Sequence, residues 1–281
     1  MLVLQLSCAA ILALFTVVRV RRDPDPARVL RRLALLAVAS WIGEESCIHL
    51  YGFYFYSPEW SLHLDRVPLL IPLIWPVVIL SAHDLASHVL RRPGRAPRAF
   101  AVPLLGAAVV LADASLIEPI AVASGLWTWT HPGLFSVPLI GIIGWSFFAG
   151  AAMAVFDRAD RAAPPDARLE GLVLVLAPAA THALLVITWW GLFRWTQGSV
   201  APWPVVALAW ALSIALGVIA WREGLRRRIP AVLMWLRMPA AAFFFALLAL
   251  HGRDLAPLVA YALAFAPPYL AMTAWSPERA A

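Results

Sequence analysis

The residues best placed to do chemistry are acids inside otherwise apolar runs. Trp41-Ile42-Gly43-Glu44-Glu45-Ser46-Cys47-Ile48-His49 lies within a stretch of about 20 apolar residues, long enough to cross a membrane. A single carboxylate at the centre of such a helix costs roughly 2.5–3.5 kcal/mol. A chain that keeps two adjacent ones needs a return for them. Trp41, Glu45 and His49 are spaced to share one helix face. Glu44 projects about 100° away. Asp113 and Glu118 occupy a later apolar run. Carboxylates clustered in a medium of low dielectric allow one to stay protonated as a general acid. A second, ionised one can activate water or hold a developing cation. Aromatic faces add cation–π stabilisation. Acid, carboxylate and aromatics beside a hydrocarbon interior suit protonation of an alkene in a lipid-soluble substrate.

The aromatics stand close by. Tyr54 and Tyr56 follow Gly52, and Trp127 and Trp129 follow Gly125. Tyr and Trp also form belts at membrane surfaces. The alternation is denser than a belt needs, which predicts the lining of a lipophilic site.

The elements that position these groups are membrane helices. The chain has 281 residues, of which 62% are hydrophobic and 14% charged. Soluble domains carry about 25% charged residues, so a soluble protein is excluded. Nine candidate spans appear: 2–18, 30–52, 67–90, 98–122, 137–156, 169–191, 202–221, 229–250 and 255–274. The last two are joined by so short a turn that eight spans are the alternative. All 22 basic residues are Arg. Seventeen fall in the first, third, fifth and seventh connections, and three (Arg66, Arg194 and Arg253) in the even ones. The positive-inside rule then puts the N-terminus outside and the C-terminus in the cytoplasm. The net charge of +6 reflects topology, so no nucleic acid is expected. Membrane lipids are the expected surroundings.

Cys8 and Cys47 both lie in apolar runs, and neither a metal-binding nor a redox pattern is present. The first apolar run lacks a basic leader and a cleavage site, and is read as a retained helix. No repeat of fixed short period is visible, and no inverted repeat. Pro164-Pro165 marks the best linker, yet residues 1–281 are expected to form one integral-membrane domain. Pro68, Pro72 and Pro76 predict a bent helix with freed carbonyls. Asp84 and His88 are spaced to pair, Arg237 is a structural partner for one of the acids, and His182 is a packing histidine.

Several motifs together resemble a family of membrane proteins of carotenoid biosynthesis. They are Glu44 or Glu45 with Gly52-x-Tyr54-x-Tyr56, Val67-Pro68 with Trp75, Asp113, Pro119, Gly125, Trp127-x-Trp129, and Val137-Pro138-Leu139 with Gly144-Trp145. The likeness covers roughly residues 40–150. That family includes carotenoid 1,2-hydratases such as bisanhydrobacterioruberin hydratase and γ-carotene hydratase. Two departures concern the substrate: Glu118-Pro119 stands where the family pattern has Asp-Pro, and no Asn-Phe precedes Gly144-Trp145.

The apolar runs predict an all-α polytopic helical bundle, expected in a bacterial cytoplasmic membrane. The resemblance implies hydration of the terminal C1–C2 double bond of an acyclic carotenoid, without a metal or redox cofactor. Glu44, Glu45, Asp113 and Glu118 would do acid–base work. Trp41, Tyr54, Tyr56, Trp75, Trp127, Trp129 and Trp145 would bind substrate. A lycopene cyclase uses the same protonation and is the nearest alternative. A transporter or lipophile-binding protein with a proton relay is the rival from another class. Other carotenoid enzymes are candidate partners, with this chain as an accessory subunit.

Overall fold

A computed structural model describes residues 1–91, 98–162, 166–195, 198–223 and 229–273. Pro164-Pro165 and Arg92, Arg95, Arg226, Arg227 and Arg228 lie outside the described residues. The fold is an all-α membrane bundle in which, among the described residues, eight helices are long and apolar enough to cross a bilayer. These are α1 (Leu2–Arg22), α2 (Pro26–Tyr51), α3 (Leu70–Leu90), α4 (Ala101–Ala123), α5 (Leu139–Asp160), α7 (Val173–Gly191), α8 (Pro202–Arg222) and a broken span, Ala231–Gly252. A short α6 (Ala167–Gly171) precedes α7. The broken span comprises α9 (Ala231–Trp235), α10 (Met238–Leu247) and a wide π turn over Leu248–Gly252. The expected ninth span is a shorter pair, α11 (Ala256–Leu263) and α12 (Ala266–Thr273). Pro267 and Pro268 lack the N–H groups needed to carry one helix through.

Local chemistry explains the main departures in helix ends. The Asp25 side chain caps α2 by accepting from the Arg28 N–H at 2.9 Å, and Pro26 occupies the first helical turn, so α2 starts before residue 30. Gly52 ends α2 in the left-handed region at φ 60°. Helix α3 starts only at Leu70 because Val67-Pro68 form a strand, β3, paired with β2 (His63–Leu64). Pro76 within α3 has no N–H for the Pro72 carbonyl. Ser40 on α2 fills that vacancy, donating its hydroxyl to the Pro72 oxygen at 3.1 Å. The proline stripe therefore ties two helices together, and its first member, Pro68, lies outside the helix.

Helix α5 is central, packed along α4 on one side and α7 on the other. Helix α2 sits between α3 and α7, and α3 packs on α4. The core includes Phe15, Leu36, Leu80, Met153 and Phe156, each nearly or fully buried. Small residues let α4 and α5 approach: a methyl on Gly106 would collide with Met153, and one on Gly150 would press on Ala107. Helices α7 and α8 expose Val175, Ile187, Leu208 and Ile219, as lipid contact requires.

One end of the bundle is ionic. Arg32 donates to Asp160 at 2.5 Å and to Glu170 at 2.8 Å, while Arg31 meets Glu170 at 2.6 Å. Asp84 pairs with Arg19. This ion pair ties α1 to α3. Arginines of the first connection so find carboxylates on α3, α5 and α6, which closes that end.

The opposite end carries a feature absent from a helical reading. Strand β1 (Tyr54–Tyr56) pairs antiparallel with β4 (Trp127–Trp129), aligning Tyr54 with Trp129 and Tyr56 with Trp127. This pairing brings the C-terminal ends of α2 and α4 to one face.

Candidate active site

Beneath the β1–β4 ribbon lies an apolar cavity of about 170 Å³. Strand geometry sends alternate side chains to one side. Tyr54, Tyr56, Trp127 and Trp129 therefore point into the bundle, and Phe55 and Thr128 point out. Two acids face the cavity, Glu44 from α2 and Glu118 from α4.

Each acid is held by three aromatic donors. Glu44 accepts from the Tyr54 hydroxyl, from the Tyr56 hydroxyl at 2.9 Å and from Trp75 Nε1 at 2.8 Å. Glu118 accepts from Trp127 Nε1 at 2.8 Å, Trp129 Nε1 at 2.9 Å and Trp145 Nε1 at 2.8 Å. Burying a carboxylate is expensive without donors, and three aimed at two oxygens offset that cost. The donor rings also pair across the cavity. Centroid distances are 4.8 Å for Tyr54–Trp129, 5.9 Å for Tyr56–Trp127 and 4.6 Å for Trp75–Trp145. Each pair joins one donor of Glu44 to one donor of Glu118.

That cross-pairing exposes a duplication. Glu44, Gly52, Tyr54, Tyr56, Val67-Pro68 and Trp75 correspond in order to Glu118, Gly125, Trp127, Trp129, Val137-Pro138 and Trp145. Gly52 and Gly125 both take positive φ, 60° and 70°. Leu64 pairs with Val67 as Leu134 pairs with Val137, and Asp65 and Phe135 between them share φ values of 54° and 51°. Backbone bonds exchange as a two-fold axis demands: Ser57 N–H donates to the Leu126 carbonyl at 3.0 Å, and Thr130 N–H to the Phe53 carbonyl at 2.8 Å. This duplication is long and is of neither the short-period nor the inverted kind. Two helix–strand–helix units face each other about a pseudo-two-fold axis through Phe55 and Thr128. Both units run the same way through the bundle, so the repeat is parallel and not inverted. Tyr-for-Trp exchange and unequal loops between strand and Val-Pro blur it in the sequence.

The remaining walls are hydrocarbon. Helix α1 contributes Leu4 and Ile11 beside the Cys8 thiol, and α10 contributes Ala240, Phe243 and Phe244. None of these was legible as a site residue, because nothing in an apolar helix marks which face meets a cavity. Close packing supports the ribbon at Gly141, where a methyl would come within 2.5 Å of the Trp129 ring.

Of the four acids expected to act together, two meet. Glu45 turns away under the β2–β3 hairpin, where its carboxylate accepts from Arg66 N–H at 3.2 Å and lies 2.7 Å from His49. Asp113 is bound up with Arg237, which also donates to Ser81 at 2.9 Å and to the Tyr269 oxygen at 3.0 Å. Arg237 is therefore the anticipated structural partner. Trp41 lies beside the hairpin and donates to the Leu64 carbonyl at 3.2 Å. The other six aromatics named from the sequence all line the cavity. His182 packs between Ser46 and Tyr51, at 2.8 and 3.0 Å.

Among the described residues, Glu45, His49 and Asp65 bring one ligand-type atom each within 4.8 Å. Asp65 is exposed, and its hydrogen bond from His49 holds its carboxyl below the usual range. His49 sits between the two carboxylates, bonded to Asp65 and 2.7 Å from Glu45.

No curated protein matches the chain, and no solved structure does. The family described as "Carotenoid biosynthesis protein" matches residues 1–219, which hold both acids and all six cavity aromatics named above. Across more than half its length, then, the sequence carries the family pattern, and the chain belongs to the carotenoid biosynthesis protein family.

Proposed function

We propose that the protein hydrates the terminal C1–C2 double bond of an acyclic carotenoid end, with Glu44 and Glu118 as its acid–base pair. The observation that carries this reading is the pair of carboxylates facing one apolar cavity, each among three aromatic donors. A lipid-soluble polyene end fits a cavity walled by hydrocarbon on the α1 and α10 sides. A carboxylic acid protonates C2, and the positive charge develops at the tertiary C1. The six aromatic rings and the remaining carboxylate stabilise that charge. Water then bonds to C1, and its surplus proton returns to a carboxylate. The sum is addition of one water per end. Glu45 and Asp113 act here as scaffold: one secures the hairpin, the other anchors Arg237.

Expression in a lycopene-producing bacterium, followed by pigment mass analysis, tests the proposal. The expected product gains the mass of one water for each modified end. An isomer of unchanged mass would replace hydration with cyclisation, in which an alkene captures the same cation. Unchanged pigment beside folded protein would refute both for this substrate.

A further inference from the structure

The two half-sites are equivalent in architecture and differ in one chemical respect. At Glu44 two of the three donors are hydroxyls, Tyr54 and Tyr56. At Glu118 all three are indole N–H groups, Trp127, Trp129 and Trp145. A hydroxyl donates or accepts by rotating, whereas an indole N–H only donates. A neutral carboxylic acid needs an acceptor for its own O–H. Tyr54 or Tyr56 can supply one to Glu44 by turning its hydroxyl. None of the three partners of Glu118 can do so. Protonating Glu118 would therefore leave its O–H without an acceptor among these partners, which costs a buried hydrogen bond. Within the duplicated units the pseudo-two-fold axis exchanges the two acids, and the donor set tells them apart.

We propose that the duplicated halves have divided the reaction: Glu44 carries the proton and delivers it, and Glu118 remains the anion that faces the cation. Tyr54 and Tyr56 are positioning residues that accept from protonated Glu44 and donate to it once ionised. The proton lost by the captured water returns to Glu44, so the cycle closes with no net change in the protein. What the proton attacks rests on the carotenoid reading above. Where it resides does not, and can be measured without substrate.

The experiment is infrared spectroscopy of the purified full chain in detergent at neutral pH, in light and heavy water. The reporter is the carboxyl C=O band of a protonated acid, which shifts on deuteration. The band is expected in the unaltered protein, lost in Glu44→Gln and kept in Glu118→Gln. Glu118→Asp serves the same arm should the glutamine variant not fold. Tyr56→Phe is expected to move the band by removing an acceptor, and Trp127→Phe to leave it in place. A band that survives Glu44→Gln, or disappears in the Glu118 variants alone, overturns the assignment. The expected infrared pattern with unchanged lycopene would instead refute the hydratase reading and leave the division of roles standing.

Discussion

Replacing each cavity acid by glutamine should have opposite structural consequences, and the difference follows from hydrogen-bond geometry. Glu118 uses Oε2 for Trp127 and Trp129, at 2.8 and 2.9 Å, and Oε1 for Trp145 at 2.8 Å. Glutamine offers one acceptor oxygen and one NH₂ group. Whichever way the amide turns, its NH₂ faces at least one indole N–H. Leaving a buried donor without an acceptor costs about 1–3 kcal/mol. At Glu44 the amide can place its oxygen toward Trp75 and its NH₂ toward Tyr54 and Tyr56. Both hydroxyls can turn to accept, so no donor is forced against another. Glu44→Gln replaces a neutral acid by a neutral amide, whereas Glu118→Gln also gives up the charge-assisted hydrogen bonds from three N–H donors that offset burial of its charge. Glu118→Gln should therefore be less stable than Glu44→Gln by about 1–3 kcal/mol. At roughly 2–4 °C per kcal/mol for larger domains, this is a separation of several degrees. Thermal unfolding of both variants in one detergent at one scan rate, followed by tryptophan fluorescence, measures it. Equal melting temperatures, or a lower one for Glu44→Gln, would refute the reasoning.

Other outcomes follow from the same contacts. Arg237→Met should destabilise the chain by roughly 3–5 kcal/mol, since Asp113 is left charged and without its guanidinium; adding Asp113→Leu should recover much of this, read as yield of monodisperse protein and melting temperature. Gly141→Ala should displace Trp129 from Glu118, because the new methyl falls 2.5 Å from the ring. Overpacking of this kind costs typically about 1–3 kcal/mol, and pigment conversion should fall with it. Glu45→Gln should retain pigment conversion while Glu44→Gln loses it, as only Glu44 faces the cavity; the reverse result in a lycopene-producing host would reassign the acid.

Much was fixed by local chemistry and is readable from the chain alone. Long apolar runs must become helices in lipid, because a membrane leaves no other way to satisfy backbone N–H and C=O groups. Asp25 with Pro26 and the left-handed Gly52 set the ends of α2 within a few residues. Arginines mark alternate connections, and those of the first gather with Asp84, Asp160 and Glu170 at one end. The dense Tyr and Trp alternation announced a lining, and six of the seven aromatics named from it and its neighbours line the cavity.

Tertiary structure decided the rest. Spacing puts Glu44 and Glu45 about 100° apart on one helix, but a helix apolar on all sides has no pattern to say which direction is inward. The neighbours decide: α3 and the β1–β4 ribbon give Glu44 its donors, while the β2–β3 hairpin claims Glu45. Asp113 and Glu118 look alike in sequence, and only the position of Arg237, far along the chain, separates an ion-paired anchor from an acid in a cavity. The ribbon itself pairs strands from two distant loops, a contact that no local propensity encodes. Sequence alone therefore placed costly acids in a membrane helix, and the pairing of Tyr54 with Trp129 and Tyr56 with Trp127 turned two of them into facing halves of one site.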